Sequence, residues 1–194
     1  MAGVMVVVLV GYRVSSQGVE GLNPRTLFAA PVEQDALPEV DVPGTQVMWV
    51  SSKGMSPELT RLAQYIARRY RVSQMVVEPL IVAAVHEGRN TGVDPLLILA
   101  VTSVESSFNP LSESVVGAQG LMQIIPRFHL DKISTEKGQT ALFDPNENFR
   151  VGALILKEYI RNTGDLETAL QQYGGAPDDP EMIYSNKVLA ELER

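Results

Sequence analysis

The sequence predicts an all-α domain over residues 56–194, preceded by an apolar segment at 1–14 and an irregular linker at 15–55. Three observations predict it. Beyond Met55 two segments open on a capping residue followed by proline, Ser56-Pro57 and Asp94-Pro95, which is how many helices begin. Apolar residues then recur at steps of three and four, the spacing that keeps them on one helix face. No sustained alternation of apolar and polar residues, the mark of a half-buried strand, appears after Met55. With 194 residues, 45% of them hydrophobic, the chain can bury one real core with a modest extension left over.

In chain order, "MAGVMVVVLVGYRV" holds an apolar run of about ten residues, short of the ~20 that a membrane-spanning helix needs. It reads as the core of a signal segment or a shortened membrane anchor, with a buried strand as the alternative. Residues 15–55 are rich in Pro, Gly and acids and read as a linker, with a short strand at "TQVMWV" and Trp49 packing on the domain or, as the alternative, marking a ligand contact. The first helix follows from Ser56, Pro57 and Glu58, with Leu59, Leu62, Ala63, Ile66 and Tyr70 forming its buried face. A second runs through "SQMVVEPLIVAAVHEGRN" and stops at "NTG". The third opens at Asp94-Pro95 and carries "LLILAVTSVESSFNP"; Asn109-Pro110 cannot continue it. A glycine-rich loop and the turn "FDPNEN" lead to a fourth helix, "NENFRVGALILKEYIRNTG". A fifth, "DLETALQQYGG", and a last one in "PEMIYSNKVLAELER" close the chain.

The formal net charge of -7 and pI near 4.9 argue against nucleic acid as a partner, because a polyanion is repelled by such a surface. The basic cluster Arg68, Arg69 and Arg71 reads as a solvated helix face. The absence of cysteine removes disulfides, thiolate nucleophiles and cysteine-ligated zinc. The two histidines, His86 and His129, lie far apart with no ligand spacing around them, so no metal or cofactor is expected.

One residue stands out against this background. Stepping back from Glu105 by four gives Val101, and by seven gives Ile98, so the acid lies on the apolar stripe of the third helix. It also sits at the helix C-terminus, the negative end of the dipole. Both settings disfavour the charged form, raise the pKa and keep a proton available near neutrality, as a general acid requires. A structural or solvated glutamate remains the alternative on these grounds.

The residues that follow carry a more specific signal. Glu105, Ser106, Phe108 and Pro110 form E-S-x-F-x-P; Ser114 follows; then Gly117, Ala118, Gly120, Leu121, Met122 and Gln123 form G-A-x-G-L-M-Q, with Pro126 after. In this order and spacing the run resembles the lytic transglycosylase family, whose catalytic domain is lysozyme-like. Downstream, Asp144, Pro145, Asn148 and Gly152 resemble the family's D-P-x-x-N-I-x-x-G, with Phe149 in place of isoleucine. "ALQQYGGAP" resembles the block A-L-A-A-Y-N-A-G through Tyr173, but Gly174 stands where that block has asparagine. Tyr184 and Val188 fit the closing tyrosine-valine helix, and Ile155 departs from a common tyrosine.

The resemblance implies a peptidoglycan glycan strand as substrate, cut between N-acetylmuramic acid and N-acetylglucosamine. Glu105 would act as the single acid and base, the substrate's acetamido group would attack C1, and a 1,6-anhydro product would result. Ser106, Ser114, Met122, Gln123 and Tyr173 would bind substrate, with Tyr173 reaching the sugar or Glu105 itself. Turn, core or helix-end roles are the alternatives for each. Such a substrate would put the domain in the periplasm or cell envelope, with possible membrane association through the N-terminus. Two other functions stay open: a lysozyme-type hydrolase using Glu113 as second carboxylate, and a glycan-binding module without turnover.

Overall fold

A computed structural model describes residues 55–194; the apolar segment at 1–14 and the linker, Trp49 and the short strand included, lie outside the described residues. Six α-helices follow one another, α1 Pro57–Tyr70, α2 Gln74–Thr91, α3 Pro95–Ser106, α4 Pro145–Thr163, α5 Leu166–Tyr173 and α6 Ile183–Leu192. Local chemistry fixes most of their ends. The side chains of Ser56, Asp94, Asp144 and Asp165 accept from backbone N–H groups of the first turns that they cap. Gly92 and Gly164 turn left-handed to close α2 and α4.

Helix α3 is the most deeply apolar of the helices. Its residues from Leu97 to Ser103 are all buried, which is what a helix apolar on every face requires. It packs against α2 on one side and α6 on another, while α4 packs against α2 and α5. The core joins Ile66, Ile81, Ile98, Val101, Phe108, Leu121, Met122, Phe149, Leu156 and Val188.

The stretch between α3 and α4, 107–144, is more structured than the loop and turn the sequence suggests. It contains two 3-10 segments, Pro126–Phe128 and Thr135–Phe143, the second broken at Gly138 by a positive φ of 61°. It also contains two isolated antiparallel bridges, Glu113 with Gln119 and Gln119 with Ile124. Behind the second 3-10 segment, Glu147 is buried, bonded to Arg150 at 2.6 Å, and accepts from the Ser134 N–H at 2.8 Å. The Arg150 guanidinium holds the Glu147 carboxyl down to about 2. Among the described residues no helix is long and apolar enough to cross a membrane.

Candidate active site

The end of α3 delivers Glu105 to a partly buried position and then turns away abruptly. Ser107 and Phe108 adopt left-handed backbones in succession, with φ of 50° and 65°. For phenylalanine that is costly, and burial holds it there: its side chain is 1% exposed and its ring meets the Tyr70 ring at 5.1 Å. Glu105 is thereby left at the last turn of the helix, facing α6. The Tyr184 hydroxyl donates to Glu105 Oε1 at 2.5 Å. Burial pushes the Glu105 carboxyl above its usual range, and the Tyr184 hydrogen bond opposes that rise without cancelling it. Burial and the nearby carboxylate push the Tyr184 hydroxyl far up as well, so it stays protonated and keeps its hydrogen to donate to Glu105.

Of the two roles open to Tyr173, contact with the sugar or with Glu105, a hydrogen bond to Glu105 is not formed. The Tyr173 hydroxyl instead donates to the Met122 carbonyl at 2.9 Å, and its ring stacks on that of Tyr184 with centroids 6.4 Å apart. Tyr159 meets the Tyr173 ring edge-on, so a row of three rings runs from α4 through α5 to α6. The reason is reach: Tyr173 ends α5 beside the glycine-rich loop, whereas Tyr184 opens α6, which crosses α3 directly.

The loop at 112–124 is wound on itself. Gly120 N–H donates to the Ser112 carbonyl at 2.8 Å, and Gln119 and Ile124 exchange backbone bonds at 2.9 and 3.1 Å. Glycine is needed at 120, since its φ is +75° and a Cβ there would lie 2.1 Å from the Leu142 carbonyl oxygen. Asn148, fully buried on α4, clamps the loop. Its Oδ1 accepts from the Met122 N–H at 2.8 Å, and its Nδ2 donates to the Gln119 and Leu142 carbonyls at 3.0 and 2.7 Å.

This clamp decides where the other expected binding residues lie. The Met122 side chain is 0% exposed and packs onto Gly152, where a Cβ would come within 2.2 Å of its sulfur. It therefore fills the core, and only its backbone carbonyl takes part in the site. Gln123, left-handed at φ 49°, donates from Nε2 to the Ser112 and Gly120 carbonyls at 3.1 and 3.0 Å. Its donors are spent inside the loop, which leaves Oε1 as the available acceptor. The Ser106 hydroxyl donates to the Thr102 carbonyl of its own helix at 3.2 Å, and Ser114 Oγ accepts from the Ala118 N–H at 3.0 Å. Both take the local roles open to them in the sequence. Glu113 is exposed on the loop, and no group of three or more His, Cys, Asp or Glu among the described residues could hold a metal ion.

Comparison with known proteins gives this arrangement its family. The transglycosylase SLT domain model matches residues 83–180, half of the chain. The chain belongs to that family. The chain is 41% identical over 83 residues to the transglycosylase of Enterobacteria phage PRD1, covering 43% of this chain and 29% of that protein. It is 39% identical over 82 residues to membrane-bound lytic murein transglycosylase C of Mannheimia succiniciproducens, covering 37% and 23%. The matches thus span less than a third of the length of these curated relatives. In three dimensions it is similar to an inactive mutant of lytic transglycosylase Slt from Pseudomonas aeruginosa. The TM-score is 0.53 at 23% identity, over 69% of this chain and 28% of that one. That likeness concerns the fold, and it is the lysozyme-like all-α fold expected.

In the sequence Tyr184 and Asn148 match family blocks but carry no assigned role at the site. Neither has a local periodic signal. Their partners lie 79 and 26 positions away, and only the packing of α6 on α3 and of α4 under the loop brings them together.

Proposed function

We propose that this domain is a lytic transglycosylase that cleaves the glycan strand of peptidoglycan, with Glu105 as the single acid and base. The observation that carries the reading is Glu105 itself: a carboxyl raised by burial at the end of an apolar helix, with one oxygen accepting from a protonated tyrosine. With Tyr184 on Oε1, the acidic proton resides on Oε2, which has no protein partner among the described residues and is free to face a substrate.

The chemistry follows from that asymmetry. Oε2–H protonates the glycosidic oxygen as the bond to C1 breaks and the sugar takes on oxocarbenium character. The substrate's acetamido oxygen closes on C1, and the Gln123 Oε1 accepts from the acetamido N–H to orient it. Glu105, now ionised, removes the proton of the C6 hydroxyl as its oxygen displaces the acetamido group. The proton lost from O6 replaces the one given to the leaving oxygen, so the enzyme is restored and no water is consumed.

A substrate of this kind places the work in the periplasm or cell envelope. Residues 1–14 then serve as a signal or membrane anchor, 15–55 as the tether, and 56–194 as the catalytic domain. The test is to digest purified peptidoglycan with the protein and with Glu105→Gln and to weigh the released muropeptides. Anhydro ends, one water lighter than reducing ends and absent with the variant, are expected. Reducing ends would make the protein a hydrolase, and binding without release from either protein would leave a glycan-binding module.

A further inference from the structure

Gly174 ends α5 with φ -69° and ψ -2°, an ordinary right-handed backbone that any residue adopts. Conformational freedom is therefore not what this position asks of glycine. Space is. A Cβ at 174 would lie 2.3 Å from Tyr184 Cγ, 2.6 Å from Cδ2 and 2.8 Å from Cβ. All three atoms belong to the root of a rigid side chain, and none is the end of a flexible one. The family block that this stretch resembles has asparagine here, so the close approach is this chain's own.

The backbones on either side are pinned. Gly174 N–H donates to the Leu170 carbonyl at 2.9 Å, which keeps it in the helix. Gln171, 1% exposed, donates to the Ala176 carbonyl at 2.9 Å and accepts from the Ser185 N–H at 3.2 Å. It thus ties the chain just after α5 to the residue next to Tyr184. Relief of a contact at 174 cannot come from sliding α6 away, so the Tyr184 side chain must turn.

We infer that Gly174 is a positioning residue: the missing side chain makes room for the Tyr184 ring against the end of α5 and so holds the Tyr184 hydroxyl on Glu105. Restoring an ordinary carbon contact of about 3.5 Å displaces the ring by on the order of 1 Å. The 2.5 Å hydrogen bond to Glu105 is then stretched to the limit of hydrogen bonding. The inference rests on the reading of Glu105 as the acid.

The groups facing Glu105 make a pH readout specific. Tyr184 faces it from α6 and Tyr173 from α5, with Tyr159 of α4 behind Tyr173. Among the described residues no cation and no second carboxylate acts on it. Since the Tyr184 bond favours the ionised carboxylate, its loss raises the pH at which Glu105 titrates.

The experiment compares the full chain with Gly174→Ala, Tyr184→Phe and the double variant. It uses carbon-detected NMR titration of the Glu105 carboxyl together with the pH profile of muropeptide release. Gly174→Ala should move the titration midpoint and the alkaline limb of the profile up by about one pH unit and lower kcat about tenfold with KM little changed. Tyr184→Phe should do the same, and the double variant should add nothing further. A Gly174→Ala midpoint equal to that of the parent, or additive effects, would overturn the inference. Should Gly174→Ala fail to fold, the same change in a Tyr184→Gly background, which removes Cγ, Cδ2 and Cβ together, is expected to fold; if it does not, the inference falls. A parent that releases no anhydro product while the titrations behave as stated would remove the proposed activity and leave the positioning role in place.

Discussion

Replacing Asn148 by alanine tests how the glycine-rich loop is held. The side chain is fully buried and makes three hydrogen bonds, to the Met122 N–H and to the Gln119 and Leu142 carbonyls. The Gln119 carbonyl keeps a second donor, the Ile124 N–H at 3.1 Å, so it is not orphaned. The Met122 N–H and the Leu142 carbonyl lose the partner that satisfies them, in residues that are 0% and 2% exposed. Two buried unsatisfied groups at about 1–3 kcal/mol each, with a small cavity added, predict a loss of roughly 3–5 kcal/mol. That is a third or more of the stability of a domain holding about 10 kcal/mol. Urea unfolding should show the midpoint falling with the slope unchanged. Turnover should fall with it, because the Met122 carbonyl that receives the Tyr173 hydroxyl sits on the loosened loop. Asn148→Asp should not rescue: it keeps an acceptor for Met122 but turns a carboxylate oxygen toward two carbonyls. A loss below about 1 kcal/mol for Asn148→Ala would refute the clamp, since it would mean that water or a loop shift satisfies those groups at little cost.

Three further outcomes follow from the same geometry. Because the folded-state pKa of Glu105 is raised, its contribution to stability is fully present below the unfolded value near 4.5 and is lost as pH rises through the folded one. Glu105→Gln should therefore raise Tm at neutral pH while abolishing turnover, and a melting scan at pH 4 and pH 7 should show the gain only at the higher pH. Glu147 has the opposite sign: its carboxyl is held down to about 2, so its stabilisation is present above about 4.5 and fades as pH falls toward 2. Arg150→Ala leaves that carboxylate without its cation and should cost about 2 kcal/mol at pH 7, less than a fully buried pair because Arg150 is about one-third exposed, with the deficit shrinking in acid urea titrations. Gly120→Ala combines a left-handed backbone with a 2.1 Å approach to the Leu142 carbonyl and should lower stability by at least about 2 kcal/mol, measured by thermal unfolding.

The six helices were legible because their starts and stops are chemical: Ser56-Pro57, Asp94-Pro95, Asp144-Pro145, Asp165 and the closing Gly92 and Gly164 each have one good local conformation. The Thr135–Phe143 segment was not legible. Its turns are three-residue ones interrupted at Gly138, and no 3.6-residue period survives that break. Glu105 announced itself because a carboxylate on an apolar stripe violates the pattern around it. The partner of Tyr173 was not legible. A tyrosine at the end of an amphipathic helix is plainly near the site, but whether its hydroxyl meets a carboxylate or a carbonyl depends on where α6 crosses, and that crossing is a tertiary fact. Met122 shows the same limit: its burial is set by Gly152, 30 positions later, which removes the Cβ that would exclude it.

The family match runs from 83 to 180, yet the hydroxyl on Glu105 comes from residue 184, and the aromatic support of the turn after it comes from Tyr70. Tyr70 in turn donates to Glu191 Oε2 at 2.8 Å, and Arg69 reaches the other oxygen of that carboxylate at 2.9 Å, so α1 and α6 are joined to each other outside the matched segment. For anyone trimming this protein for expression, or transplanting its catalytic unit into another chain, the recognisable motif is smaller than the working part. A fragment cut at the edges of the match would keep every signature residue from Glu105 to Gln123 and lose the tyrosine that is hydrogen-bonded to Glu105.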